Sequence, residues 1–360
     1  MSFRHPNTWP LIAPVSAAGL RRWRQDAQQA GTWSSPWVEN AAGRAGSVLG
    51  VLVISLLVPG LVLLRTADLT VTAIALLVPA GATAGVLLIW ELAAARLETR
   101  ACRLDGFAAA NGLQQRRDRA APNYPGMILN QGTDRRVVEL LQTLPRAPRF
   151  VEFGNYSCTL EEDRHGRREE TSAFGWGYVA IRLEHALPNI VLDAKGNDAL
   201  LGSNLPIAPT RRQRLSLEGD FDRYFTLYAP AGYEADALYL FTPDVMVTFI
   251  DEAAFLDAEI VDHWLLLYSQ HDIVTLDPDR WTKLFAAVSA LDARLDQWAR
   301  WHDDRLPRPR RTLTGGLQPQ PLVAPPGRRL RTHRGQRVQT VVFTLVYLAV
   351  MAAFAWFSPR

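Results

Sequence analysis

Three acids stand at alternate positions in "SLEGDFDRYFTLY": Glu218, Asp220 and Asp222. In an extended strand, alternate residues share one face. That face would offer three oxygen ligands to one divalent cation, and a D-x-D pair also serves nucleotide-sugar transferases. The competing reading is a polar turn, "EGDFD", leading into an aromatic strand. No glycine-rich phosphate loop or dinucleotide fingerprint accompanies the acids. The turn reading is therefore preferred, and a metal site at Glu218, Asp220 and Asp222 is kept as the alternative.

Three histidines have aspartate neighbours: Asp262-His263, His271-Asp272 and His302-Asp303. Neighbours in a strand face opposite ways, so adjacency is not pairing. Asp262-His263 fits a two-residue hairpin turn better than a catalytic dyad. Cys158 as a nucleophile would need a positioned histidine, which the sequence does not display. There is no G-x-S-x-G, H-E-x-x-H, Walker A or kinase set, which counts against the familiar hydrolases, metalloproteases and nucleotide triphosphatases. No catalytic residue and no cofactor is assigned. With Cys102 and Cys158 alone and no C-x-x-C, a thiolate-rich zinc site is disfavoured. The two are read as reduced thiols, one disulfide being the alternative.

The elements that would position these residues lie in 94–302, read as a soluble α+β domain, an antiparallel sheet packed by helices. "ARLETRACRLDGFAAANG" predicts a helix stopped by Gly112. "RFVEFGNYSCTL", "SAFGWGYVAIRLE" and "PNIVLDAKGN" predict strands, with "EEDRHGRREE" an exposed loop between the first two. "DRYFTLYAP" and "DALYLFTP" predict two more. Thr242-Pro243 starts a helix, with a hydroxyl cap and proline at the first helical position. Val245, Met246, Phe249, Ile250 and Ala253 follow at helical spacing. "DAEIVDHWLLLYSQ" predicts two strands around Asp262-His263. Asp277-Pro278 opens the longest helical pattern, in which Trp281, Leu284, Phe285, Val288, Leu291, Leu295 and Trp298 form one core-facing stripe.

Around this domain the chain of 360 residues, net charge +3, is unevenly apolar. Three uncharged runs, 47–64, 69–90 and 340–357, have the roughly 20 apolar residues that span a hydrocarbon core. They predict three transmembrane α-helices. The first two would form a hairpin across "RTAD", with Gly81 and Gly85 as a weak close-packing pair. Residues 1–46 are the N-terminal segment, and 303–338 read as a disordered tether rich in proline and arginine. Arginines cluster before the first run, after the second and before the third, which puts the N-terminus and the domain on the cytoplasmic side of a multi-pass plasma-membrane protein. Lys195 and Lys283 are the only lysines, a skew that suggests a GC-rich bacterial genome. Arg328, Arg329, Arg331, Arg334 and Arg337 suit anionic lipid headgroups. Nucleic acid is disfavoured, because the tether has no aromatic beyond His333 to stack bases.

The stretch "RLSLEGDFDRYFTLYAPAGYEADALYLFTPDVM", then "EIVDHWLLLYS", resembles a family of uncharacterised bacterial membrane-anchored proteins. "FVEFGNYSCT", "WGYVAIRLEHALPNIVLDAKGN" and "GSNLP" fit its actinobacterial version. The resemblance spans roughly residues 100–300. It implies a cytoplasmic α+β domain, and it brings no catalytic residues with it. The expectation is a membrane protein whose cytoplasmic domain is a binding or scaffolding module, with a membrane-anchored, metal-dependent enzyme as the alternative.

Overall fold

The computed structural model describes residues 5–30, 69–116, 121–164, 167–197, 208–217, 219–298, 301, 303, 305–306 and 323–333. The chain divides into two compact units, one of residues 9–107 and one of 1–8 with 108–360.

The smaller unit holds α1 (Trp9–Ile12), α2 (Ala17–Gln29) and most of α3 (Leu69–Ala110). Ser16 caps α2: its backbone is extended and its side chain accepts the Gly19 N–H. The Trp23 indole N–H of α2 donates to Asp105 of α3 at 3.0 Å, and Arg24 pairs with the buried Glu98. The helix stops as expected, with Gly112 at φ +66° where a side chain would be strained.

The expectation of three transmembrane α-helices is corrected. Among the described residues, no helix is long and apolar enough to cross a membrane. The runs 47–64 and 340–357 lie outside the described residues. The run 69–90 is not a separate element but the first part of the 42-residue α3. Nothing between Trp90 and Ala110 breaks the helix, and this second part carries Glu91, Arg96, Glu98, Arg100, Arg103 and Asp105.

The larger unit is built on a seven-stranded antiparallel sheet. Its strands are β1 (Leu113–Arg116), β2 (Thr133–Thr143), β3 (Val151–Arg164), β4 (Arg167–Ala194), β6 (Arg214–Leu215), β7 (Phe225–Tyr228) and β8 (Asp257–Ser269). Ala208–Pro209, labelled β5, pairs instead with β9 (Thr332–His333). The order is β1-β2-β3-β4-β7-β6, with β8 also on β4. Residues 177–181 of β4 pair with both β3 and β8, and Val191 and Leu192 with both β7 and β8. So β4 has β3 and then β7 along one edge and β8 along the other. The helices are α4 (Phe221–Tyr224), α5 (Glu234–Leu240), α6 (Pro243–Ala253) and α7 (Pro278–Trp298).

Strand alternation sorts the core. On one face Phe153 meets Trp281 and Phe285 of α7, at ring separations of 5.5 and 5.7 Å. Trp281, Leu284, Phe285, Val288 and Leu291 are all buried, as the helical stripe requires. On the other face Tyr156, Cys158, Trp176, Tyr178, Leu266 and Tyr268 are covered by irregular chain, chiefly Ile128, Leu129 and Leu330.

Several elements differ from the sequence reading. The strands expected at "SAFGWGYVAIRLE" and "PNIVLDAKGN" are one 28-residue β4. The loop expected at "EEDRHGRREE" is largely ladder, with pairing out to Arg164↔Arg167, because backbone bonds set it and not side-chain polarity. "EADALYL" is helical. Ala237 and Leu240 are buried while Leu238 and Tyr239 are exposed, a spacing of three that only a helix presents to a core. Residues 323–333, expected within a disordered tether, are docked: Leu330 N–H bonds Asn189 and Arg331 N–H bonds Gln213. Asp257–Ser269 is one strand, not two around a hairpin. It bends where Asp262 sits at φ +51° opposite Leu187, with register shifts on both sides of that pair.

Candidate functional site

The structure does not gather the alternating acids. Glu218 lies outside the described residues, and Asp220 and Asp222 lie in a turn and in the one-turn α4, not in a strand. Residues two apart on a helix do not face each other. Asp220 pairs with Arg223 at 3.2 Å, while Asp222 accepts the Ser216 hydroxyl and the Leu217 N–H. Among the described residues, no group of three histidine, cysteine or acidic side chains is placed to hold a metal. Both cysteines are free thiols, Cys158 buried and Cys102 partly so. Burial pushes the Cys102 thiol up, away from the reactive thiolate.

In two of the acid–histidine pairs the carboxylate is taken up by other partners. Asp262 takes two bonds from the Arg329 guanidinium, at 3.0 and 2.8 Å. Burial and the nearby Arg182 push His263 below its ordinary value. Asp303 is buried and accepts the Tyr233 hydroxyl, the Ala324 N–H and Arg305. Burial opposes its charge, but these bonds together hold it below the usual carboxylate range. His302 lies outside the described residues. Of the five arginines expected at lipid headgroups, Arg328 donates to the Val323 carbonyl and Arg329 is paired as above. Arg331 is exposed, and Arg334 and Arg337 lie outside the described residues.

Two groups of perturbed acids and tyrosines lie under the irregular chain. Tyr178 donates to Glu152 at 2.7 Å, and Tyr124 bonds the same carboxyl. Burial pushes Glu152 up, against those two bonds. The second group centres on Glu259. Its Oε2 accepts the Met127 N–H at 2.7 Å and the Tyr268 hydroxyl at 2.9 Å, and its Oε1 accepts Asn189 at 3.3 Å. Full burial raises Glu259 to about 7, with those three bonds and Arg329 working the other way. A side chain poised near neutrality is chemically useful. Glu259 and Tyr268 are nine residues apart, about 30 Å along a straight strand. Only the bend at Asp262 brings them into contact and onto one face. The segment over them is pressed close: a Cβ on Gly126 would lie 2.1 Å from the Tyr268 hydroxyl. The sequence signal for this group was Glu259, an acid placed directly before the apolar Ile260 and Val261 in a strand-like run.

Among the described residues, one accessible feature is a groove of about 560 Å³ between α6 and α7. Asp244, Val247, Thr248 and Asp251 recur at helical spacing on α6, joined by Pro243 and Glu252, and face Ala290 and Arg294 of α7. Val247 is 54% exposed. Arg294 pairs with Asp244 at 2.9 Å. The bond from Thr242 and the nearby Arg294 lower Asp244. One of the three carboxylates is thus balanced within the groove, and Asp251 and Glu252 leave its rim acidic. Sequence reasoning assigned α6 and α7 correctly but saw only their core stripes.

No protein-family model matches the chain, and a search of curated proteins found no match. Among solved structures, one match is the crystal structure of the mycobacterial trehalose monomycolate transport factor A, TtfA. It has 12% identity and a TM-score of 0.37, covering 54% of this chain and 93% of that one. These values are too low to extend that protein's role to this chain.

Proposed function

We propose that the α+β unit is a binding module that holds a basic, partly apolar segment of a partner protein in the α6–α7 groove. The observation that carries this reading is the groove itself, where an exposed Val247 lies between acids that exceed the local basic charge. An arginine- or lysine-rich segment would lay its aliphatic stems on Val247 and Ala290 and its charges toward Asp251 and Glu252. The buried acids elsewhere support a binding role over a catalytic one, since Glu152, Glu259 and Asp303 are all engaged by internal donors. The test is fluorescence anisotropy with a labelled oligo-arginine peptide, using an oligo-glutamate peptide as control. The oligo-arginine peptide alone should bind, and Asp251→Asn with Glu252→Gln should weaken it by about tenfold. Equal affinity in that double variant would refute the assignment.

Location at a membrane surface is a further part of the proposal. It rests on the exposed apolar side chains of α3, where Leu88 and Ile89 are 59% and 65% exposed. Cell fractionation checks it: recovery only in the soluble fraction would count against a membrane location.

A further inference from the structure

Two irregular stretches, 121–131 and 323–331, cover the sheet face opposite α7, and one carboxylate ties both of them down. Met127 N–H of the first ends on Glu259 Oε2 at 2.7 Å. Leu330 N–H of the second ends on Asn189 Oδ1 at 2.9 Å, and the amide of the same Asn189 donates to Glu259 Oε1 at 3.3 Å and to the Ile260 carbonyl at 2.9 Å. Beside Leu330, Arg329 clasps Asp262 at the bend of β8. Gly126, next to Met127, sits where only a residue without a side chain lets the backbone reach the Tyr268 hydroxyl.

We propose that 121–131 and 328–331 are a double strap whose closure is set by the proton on Glu259: tight over the neutral acid, loosened over the carboxylate, with both arms released together. The groups facing Glu259 make the balance explicit. Tyr268 donates to it from its own strand, and Asp257 on that strand acts through Tyr268. Arg329 is the cation that acts on Glu259, and it is shared with Asp262. From 121–131 Glu259 receives only a backbone N–H, since Tyr124 serves Glu152. From β4 it receives only the non-titrating Asn189. One shared cation and three donors are set against complete burial, and burial favours the neutral form.

The direction follows from linkage. The closed form holds the proton up to about pH 7, whereas an exposed glutamate releases it near 4.3. Opening is therefore least favoured below the exposed value, grows about tenfold per pH unit between the two, and levels off above the higher one.

Hydrogen exchange of the full chain, corrected for intrinsic rates, tests this across that range. Wild-type peptides covering 124–131 and 328–331 should lose protection in parallel by about five-hundredfold, while α7 stays constant. Glu259→Gln should abolish the pH dependence. Tyr268→Phe, which removes one donor to the carboxylate and keeps the ring, should move the midpoint upward and serves if the first variant does not fold. Protection independent of pH, arms that respond separately, an unchanged profile in Glu259→Gln or an unmoved midpoint in Tyr268→Phe would overturn the proposal.

Discussion

The two coverings of the sheet are held by different physics. On one face α7 contributes Trp281 and Phe285 against Phe153. A helix satisfies its own backbone, so apolar contact and close packing suffice to hold it. On the other face lie 121–131 and 323–331, whose backbone groups have no ladder of their own. Buried N–H groups there need acceptors, and polar side chains supply them: Glu259 for Met127, Asn189 for Leu330 and Asp303 for Ala324. The same rule serves the turn before α7, where buried Asn155 accepts the N–H groups of Ile273 and Val274 and donates to the Val274 carbonyl. Glu259, Asn189 and Asp303 thus mark irregular chain, and much of what looks like a polar site on this face is the means of holding that chain down.

This contrast can be broken from either side. Trp281→Ala should have the largest effect, about 4 kcal/mol of stability through a cavity on the helical face, read by chemical denaturation with the whole unit unfolding together. Next comes the pH dependence of the irregular face. Burial raises Glu259 in the folded state to about 7. Its contribution is therefore fully present below the unfolded value and lost as pH rises through the folded one, about 3 to 4 kcal/mol across that window. Denaturation series at several pH values should show this slope in wild type and not in Glu259→Gln. Asn155→Ala should cost about 2 kcal/mol by leaving two buried N–H groups without their acceptor. Its loss should appear first as faster exchange at Ile273 and Val274. A uniform change across the unit would blur the contrast. Arg294→Ala should be smallest, about 0.5 kcal/mol, because its pair with Asp244 is well exposed. A larger loss would show the groove to be part of the core packing.

Legibility followed the same division. The starts of α6 and α7 were readable from local signals: Pro243 opens α6 after an extended Thr242, although the Thr242 hydroxyl makes no cap bond and donates instead to the Asp244 carboxylate, and Asp277 accepts the Asp279 N–H at 2.9 Å before the long stripe. The stop at Gly112 and the strand Phe225–Tyr228 were readable for the same reason. "EADALYL" was misread because a short apolar run fits either period until a core selects one. "DAEIVDHWLLLYS" suggested an interruption at Asp262-His263 that is real, but it is a bend within one strand, since β4 runs on past it and keeps both halves paired. The three membrane helices were inferred from hydropathy, which scores a run by itself and does not register that α3 continues for 42 residues.

The sequence by itself determined the α+β class, most of the antiparallel strands, the helix starts at Pro243 and Pro278 and the apolar stripe of α7, because each depends on neighbours within a few residues. Only the tertiary structure decided that Glu259 and Tyr268 touch across nine positions, that 323–333 returns to the sheet, and that Asp251 and Glu252 rim a groove facing Ala290 and Arg294. Those contacts join residues distant in the chain, and their geometry is set by a strand bend and by helix packing that no local pattern encodes.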